Sequence, residues 1–67
     1  MTISYNGLWK LLIDKNMQRR DLEQALNISS STIAKMGRGE TVSMTVLLRI
    51  CDYLDCNIGD IVSFRRE

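Results

Sequence analysis

QRRDLEQALNISSSTIAKMGRG, residues 18–39, is the stretch of the chain that decides its fold. Its first part, Arg19 to Leu26, predicts a short amphipathic helix. Three apolar side chains there, Leu22, Ala25 and Leu26, have the i, i+3, i+4 spacing that puts them on one helical face. We therefore expect this face to pack against a core.

A tight turn and a second helix follow. Asn27 is predicted to end the first helix, because asparagine enters the left-handed backbone region more readily than most residues, and Ser29 is a good N-cap for the next helix. The second helix, Ser30 to Met36, turns Ile33 and Met36 inward and ends at the glycines that follow. Its other faces carry small, polar and basic residues: Ser30, Ser31, Thr32, Ala34 and Lys35.

Two short helices joined by a turn, the second with hydroxyls and a cation outside, form the shape that lays a helix into the major groove of DNA. The segment resembles the helix-turn-helix of the Cro/repressor-type, or XRE-like, transcriptional regulators. The matching positions are Leu22, Asn27, Ile28, Ser29, Ile33, Arg38 and Gly39. Asn27 replaces the usual turn glycine, and Gly37 stands where many relatives have glutamate. The resemblance spans nearly the entire chain and implies an all-α, compact lambda-repressor-like DNA-binding domain of about four to five helices.

The resemblance also implies which residues meet DNA. In relatives, the first outward residues of the recognition helix and the residue one turn later read base edges, and these positions are Ser30, Ser31 and Lys35 here. Lys35 is predicted to be the main reader, because an ammonium group can reach both acceptors of guanine. The positions that hold phosphates in relatives are Arg19, Arg38, Thr41 and Ser43. Thr32 either contacts a phosphate as well or faces solvent.

Length and composition limit the rest. The chain has 67 residues, 45% hydrophobic and 25% charged, which predicts one domain over residues 1–67 and no second ligand-sensing or catalytic domain. No apolar run approaches the roughly 18 residues that a membrane span needs. The amino terminus lacks the features of a signal peptide. We therefore expect a cytoplasmic protein with no membrane partner.

The net charge of +1 is weak for a nucleic-acid binder, but its distribution is uneven. Up to Arg38 there are six Lys or Arg residues against three acids, whereas residues 40–60 carry Arg49 against four acids. The helix-turn-helix end is therefore the basic end. Taken alone, this pattern is also that of an ordinary solvated surface.

Helices are predicted on both sides of the central stretch. Residues 5–15 place Tyr5, Leu8, Trp9 and Leu12 on one stripe, where Trp9 is interpreted as a core or dimer-surface residue rather than a base-stacking one. Ser43 is a candidate N-cap for a helix from Met44 to Leu54. Its predicted core face is Met44, Leu47, Ile50, Cys51 and Leu54.

The ends of the chain carry weaker signals. Asn57 with Asp60 three residues later predicts a capped final turn. Residues 3–5 and 61–64 could be strand stubs that pair within one subunit or across a dimer, or extended segments that pack on the core. Tyr53, Val62 and Phe64 are candidates for a homodimer interface or for simple burial.

Other functions fit the sequence less well. The chain has no histidine, no Gly-rich phosphate loop and no paired-carboxylate pattern, so we predict no enzyme, no cofactor and no evident small-molecule effector site. Cys51 and Cys56 lack the CxxC spacing of a zinc site and are interpreted as structural thiols. The resulting hypothesis is a sequence-specific transcriptional regulator that binds double-stranded DNA as a dimer on an inverted repeat. The alternative is a helix-turn-helix-derived protein-interaction module with little DNA affinity, such as an adaptor, an anti-repressor or an antitoxin-like partner.

Overall fold

Five helices and two short strands follow one another in residues 1–66, the part of the chain that a computed structural model describes. In chain order they are β1 (Thr2–Ser4), α1 (Asn6–Asp14), α2 (Arg19–Leu26), α3 (Ser30–Gly37), α4 (Met44–Leu54), α5 (Ile58–Ile61) and β2 (Ser63–Arg65). The helix count agrees with the prediction. The class is mostly helical rather than strictly all-α, because the two ends of the chain form a small sheet.

The sheet joins β1 to β2 in antiparallel register. Ile3 is opposite Phe64, and the flanking pairs continue the same register. Of the pairings that the sequence left open, the one within a single subunit is therefore confirmed. The strands are shifted from the predicted segments, because Tyr5 caps α1 with its carbonyl accepting from Leu8 N–H at 2.9 Å, and Ile61 belongs to α5.

The core lies where the five helices meet. Its buried apolar side chains are Tyr5, Leu8, Leu12, Leu22, Ile28, Ile33, Met36, Leu47, Ile50, Cys51, Leu54 and Ile61. Each helix contributes to this set, so α2 and α3 are fixed relative to one another by a shared interior and not only by the turn between them. Among residues 1–66, no helix combines the length and the apolarity needed to cross a membrane.

Two side chains predicted to pack inward, Ala25 and Met44, do not. Ala25 is exposed, because the buried edge of α2 is formed by Leu22 with Leu26 half-buried beside it. Met44 is 69% exposed, because it occupies the first position of α4 and shares the flank of that helix with Leu48. Phe64, a candidate for a dimer interface or for burial, is 71% exposed, although its partner in the sheet, Ile3, is half-buried against the core. The core faces of α2 and α4 are therefore narrower than their periodicity predicts.

Capping interactions define the helix ends as predicted. Asn27 is left-handed with φ 53°, and the side chains of Ser29 and Ser43 accept from the backbone N–H groups of Thr32 and Val46 at 3.3 and 3.2 Å. At α5, the Asp60 carboxylate accepts from Asn57 N–H at 2.8 Å, which confirms the capped final turn. Local polar side chains therefore set where the helices begin and end.

Candidate nucleic-acid interface

The turn between α2 and α3 directs α3 outward from the core. Ile28 in this turn is buried, and its N–H donates to the carbonyl of Glu23 at 3.1 Å. Arg49 of α4 donates to the carbonyl of Leu26, which ties the end of α2 to α4. Because the turn is anchored by an apolar side chain and by α4, the start of α3 has a defined position.

One face of α3 is buried and the other is open. Ile33 and Met36 lie in the core, whereas the predicted base-reading residues, Ser30, Ser31 and Lys35, are all exposed. At 3.6 residues per turn, Ser31 and Lys35 are one turn apart on the same side. The outward face that the sequence predicted is therefore free for contact with another molecule.

Ala34 lies between these residues and belongs to the same exposed surface. The sequence predicted that Ala34 faces outward, but it did not predict a function for this residue. A methyl group in the middle of a reading face can contact the thymine methyl group. Its small size also lets the helix axis approach a groove closely. The sequence signal for this role was the position of Ala34 between Ser30 and Lys35 on the helical wheel.

Hydroxyl groups cluster at the start of α3. The Oγ atom of Ser29 lies 3.1 Å from Ser31 Oγ and 2.9 Å from Thr32 Oγ1, in addition to capping the helix. Ser31 and Thr32 therefore already have a hydrogen-bond partner within the chain, and Thr32 is half-buried. A base or phosphate that contacts them would join or replace these bonds.

Arg19, predicted to hold a phosphate, is positioned by Trp9. The guanidinium carbon of Arg19 lies 3.8 Å from the centroid of the Trp9 ring, a cation–π contact. The same guanidinium reaches the end of α3, where a Cβ on Gly37 would lie 3.0 Å from Arg19 Nη1. Arg19 is thus held at the junction of α1, α2 and α3 while its side chain stays exposed.

Trp9 and Gly37 contribute to the position of Arg19, a role that the sequence did not predict. Trp9 is half-buried and packs against the core, as expected, but its ring also supports a cation of the candidate interface. Gly37 was recognised as a departure from the family pattern, and the space it leaves is where Arg19 lies. No spacing rule links residues 9, 19 and 37, so the sequence held no direct signal for this contact.

Arg38 is paired with an acid of its own loop. Its Nε donates to Glu40 Oε2 at 2.5 Å, and both side chains are largely exposed. The hydrogen bond from Arg38 lowers the pKa of Glu40, and the positive charges of Arg38 and Lys35 add to this. A phosphate that binds Arg38 must therefore compete with the carboxylate of Glu40, a contact that the sequence did not predict.

The two remaining phosphate positions differ in their surroundings. Thr41 is exposed in the loop, and Ser43 is exposed at the start of α4, where helical N–H groups favour an anion. The start of α2 already contains an acid. There the carboxylate of Asp21 already accepts from Gln18 N–H at 2.6 Å, next to Arg19.

Several of the candidate residues line two surface depressions beside α3. Lys35, Glu40 and Thr41 line one depression of about 600 Å³, which Phe64 borders. Arg38 lines another of about 330 Å³, together with Arg65 of β2. The structure therefore places Lys35, Arg38 and Thr41 near one end of α3, with Arg65 as an additional cation there. The DNA roles of these residues stay predictions.

Comparisons with known proteins agree with the fold. The family model for the Cro/C1-type HTH DNA-binding domain matches residues 7–67. The crystal structure of the transcriptional regulator VanUg, in its form II, is similar with a TM-score of 0.94 and 53% sequence identity. That alignment covers 98% of this chain and 88% of the VanUg chain. No curated protein matches the sequence.

Proposed function

Because the chain belongs to the Cro/C1-type helix-turn-helix DNA-binding domain family, we propose that it is a transcriptional regulator that reads a specific DNA sequence with α3 in the major groove. The observation that carries this proposal is the exposure of Ser30, Ser31 and Lys35 on a helix whose opposite face is buried. An exposed polar face on a rigid helix is what groove recognition requires.

Base reading is assigned to the outer face of α3. Lys35 donates to the two acceptors of guanine, whereas Ser30 and Ser31 donate to or accept from several bases and discriminate less. Ala34 adds an apolar contact at the centre of this face. Lys35 therefore carries most of the sequence preference in this proposal.

Phosphate binding is assigned to the residues around both ends of the helix-turn-helix. The candidates are Arg19, Thr32, Arg38, Thr41 and Ser43. The stacked position of Arg19 on Trp9 supports its role, because the guanidinium is held in place before DNA arrives. Such contacts fix affinity and register without reading sequence.

Two substitutions and a selection test the proposal. DNA selected from a random pool identifies the best site, and Lys35→Ala and Arg38→Ala are then compared on that site and on a mutated one. Lys35→Ala is expected to cost about 1 to 3 kcal/mol and to relax preference at one base pair, whereas Arg38→Ala weakens all sequences alike. If both variants bind the best site as tightly as the parent at equal salt, the assignment of the reading face is wrong.

We further propose that the protein acts as a homodimer on an inverted repeat. One module covers only about 600 to 1,000 Å². A two-fold dimer places two recognition helices about 34 Å apart in successive major grooves. Two apolar surfaces are open for this contact. One is marked by the exposed Phe64 of β2, a predicted candidate, and the other is a flank of α4 and α5 with Met44, Leu48 and Ile58 exposed. Of the other predicted candidates, Tyr53 is exposed and Val62 is half-buried.

Light scattering decides between these surfaces. The wild-type chain is compared with Phe64→Ser and Leu48→Ser, since both residues are about 70% exposed and neither supports the core. The variant that yields monomers identifies the interface, and it should also lose affinity for the full inverted repeat but not for a half-site. A wild-type chain that stays monomeric when bound to the full repeat contradicts the dimer.

The alternative of a protein-interaction module has specific support in the acids near the interface. Glu40 neutralises Arg38, and Asp21 occupies the start of α2 beside Arg19. Both reduce the positive potential that a phosphate backbone would meet. If the chain shows no affinity for DNA even at low salt, this alternative is favoured over the regulator.

A further inference from the structure

Trp9, half-buried on α1, lines two depressions of the surface. It lines one of about 220 Å³ together with Arg19. It lines the other, of about 330 Å³, together with Arg38 and Arg65. Within residues 1–66, no acidic side chain lines either depression. The surface around Trp9 is therefore positively charged and fits an anion.

The guanidinium of Arg19 is held on one side only. Its central carbon lies 3.8 Å from the centroid of the Trp9 ring. A guanidinium is planar and carries its N–H donors around its edge, so a contact on one face leaves these donors accessible. Within residues 1–66, no carboxylate forms an ion pair with Arg19. The neighbouring Arg20 differs, because its Nε donates to Gln18 Oε1 at 2.9 Å.

Gly37 leaves a space at one edge of this guanidinium. A Cβ at position 37 would lie 3.0 Å from Arg19 Nη1. Apart from the helix that carries Gly37, no other atom of residues 1–66 would lie within 4 Å of that Cβ. A side chain at this position would therefore meet Arg19 before it met anything else.

We propose that Trp9 and Gly37 are positioning residues of a binding site for one DNA phosphate, in which Arg19 is the ligand. Trp9 holds the plane of the guanidinium, and Gly37 leaves the Nη1 edge uncovered. A phosphate oxygen accepts from the N–H donors of that edge. This role rests on the proposed DNA function and extends it, because it makes the Arg19 contact depend on two residues that act only through Arg19.

Preorganisation is the physical reason for the expected effect. A mobile arginine loses rotamer freedom when it binds a phosphate, whereas a stacked one has already lost part of it. Immobilising one such side chain on binding lowers affinity by about 2- to 10-fold. Trp9→Leu is therefore expected to weaken binding to all DNA sequences by about this factor. Trp9→Phe keeps an aromatic face for the cation and should stay closer to the wild type.

A double-mutant cycle tests whether Trp9 acts through Arg19. Wild type, Trp9→Leu, Arg19→Ala and the double variant are compared by fluorescence anisotropy on a labelled duplex with the best selected site and on a non-specific duplex. All are measured below the melting temperature of the least stable variant. In the Arg19→Ala background, Trp9→Leu should have no further effect. Partial loss of the fold would lower affinity in both backgrounds and would not give this pattern.

The fluorescence of Trp9 gives a second measurement that needs no DNA. Trp9 is the only tryptophan of the chain, so its emission reports on the cation above the ring. Arg19→Ala should change the emission spectrum of the free protein. Arg20→Ala removes the same charge one residue away and should leave the spectrum unchanged.

Gly37→Glu and Gly37→Gln test the uncovered edge. Both variants add a side chain of similar size beside Nη1, but only glutamate supplies a carboxylate that pairs with the guanidinium. Gly37→Glu should therefore weaken binding to all DNA sequences more than Gly37→Gln does. Most of this difference should disappear when Arg19 is also replaced by alanine.

The outcomes separate this role from the proposed function. If the wild type binds DNA but Trp9→Leu weakens binding equally in both backgrounds, the positioning role is wrong and the DNA function stands. The same holds if Arg19→Ala leaves both the DNA affinity and the Trp9 emission unchanged. A wild type that binds no duplex even at low salt overturns the proposed function and this role with it.

Discussion

Arg38 has two possible anionic partners, the carboxylate of Glu40 and a DNA phosphate. The contact between Arg38 and Glu40 is short, but both side chains are exposed, so it is screened by solvent. An exposed pair of this kind exchanges readily for another anion. We therefore expect Glu40 to weaken the proposed phosphate contact of Arg38 without blocking it.

Replacing Glu40 tests this competition. Glu40→Gln removes the charge and frees Arg38, so we expect tighter binding to all DNA sequences by up to about fivefold at low salt. The measurement is fluorescence anisotropy on specific and non-specific duplexes. Asp14→Asn makes the same charge change on the surface shared with Cys56 and Asp60 and should have a smaller effect. Equal gains in both variants would mean that net charge, and not release of Arg38, is responsible.

The thiol of Cys56 makes stability depend on alkaline pH. Its pKa rises from 9.0 to about 11 because burial and the neighbouring Cys51 disfavour the thiolate. Above pH 9 the unfolded chain loses this proton first, so folding stability falls as pH rises from 9 to about 11. The stabilisation is fully present below pH 9.

Urea unfolding of the reduced wild type and of Cys56→Ser measures this effect. Their difference in free energy of unfolding should be constant from pH 7 to 9 and should shift against the wild type between pH 9 and 11. Using the difference removes the contributions of the titratable groups that the two proteins share. A difference that stays constant to pH 11 would show that Cys56 has its ordinary pKa in the folded state.

Residue-level features differ in how well the sequence predicts them. The left-handed Asn27 and the N-caps Ser29 and Ser43 were predictable, because capping depends on residues within one turn. The stacking of Arg19 on Trp9 was not, because it joins two helices whose relative position depends on the whole core. Predictions of this kind need the tertiary packing.

At the scale of elements, strong helical periodicity gave correct boundaries. The predicted helices Arg19–Leu26 and Met44–Leu54 are observed without a shift, and α3 ends one residue later than predicted. The strands were less certain because three residues carry too little alternation to distinguish a strand from an extended segment. Their pairing depends on where α1 and α5 place the chain ends.

The contact between α1 and α5 requires a glycine. A Cβ on Gly7 would lie 2.3 Å from the carbonyl oxygen of Asp60, a backbone atom that cannot move without moving α5. Gly7→Ala is therefore expected to lower the free energy of unfolding by about 1 to 3 kcal/mol through overpacking. Chemical denaturation with circular dichroism detection measures the loss.

Gly59 provides the matched control. It lies in α5 beside the same contact, but a Cβ there would meet nothing within 4 Å. Gly59→Ala should be neutral or stabilising by up to about 1 kcal/mol, because alanine loses less backbone entropy than glycine in a helix. If both variants are equally stable, the close approach of α1 to α5 is not present in solution.

The whole molecule is nearly neutral, so its overall field attracts DNA only weakly. Six of the nine Lys and Arg residues precede residue 39, and this uneven distribution was predictable from the sequence. The local pairing of Arg38 with Glu40 was not, because it depends on the loop conformation. In the proposed function, DNA affinity is therefore expected to come from individual phosphate contacts and not from long-range attraction.

The salt dependence of DNA binding measures the number of these phosphate contacts. The logarithm of the binding constant falls linearly with the logarithm of salt concentration, with a slope of about −0.9 per neutralised phosphate. Arg19 and Arg38 are the two cations among the proposed phosphate-binding residues, and they alone predict a slope near −2 for one subunit on a half-site and near −4 for a dimer on the full repeat. Arg38→Ala should make the slope shallower by about 1 per subunit. Lys35→Ala should mainly reduce the preference for the best site and should change the slope less than Arg38→Ala does. A slope close to zero for the wild type on its best site would mean that few phosphates are neutralised, and α3 would then be better explained as a surface for a protein partner.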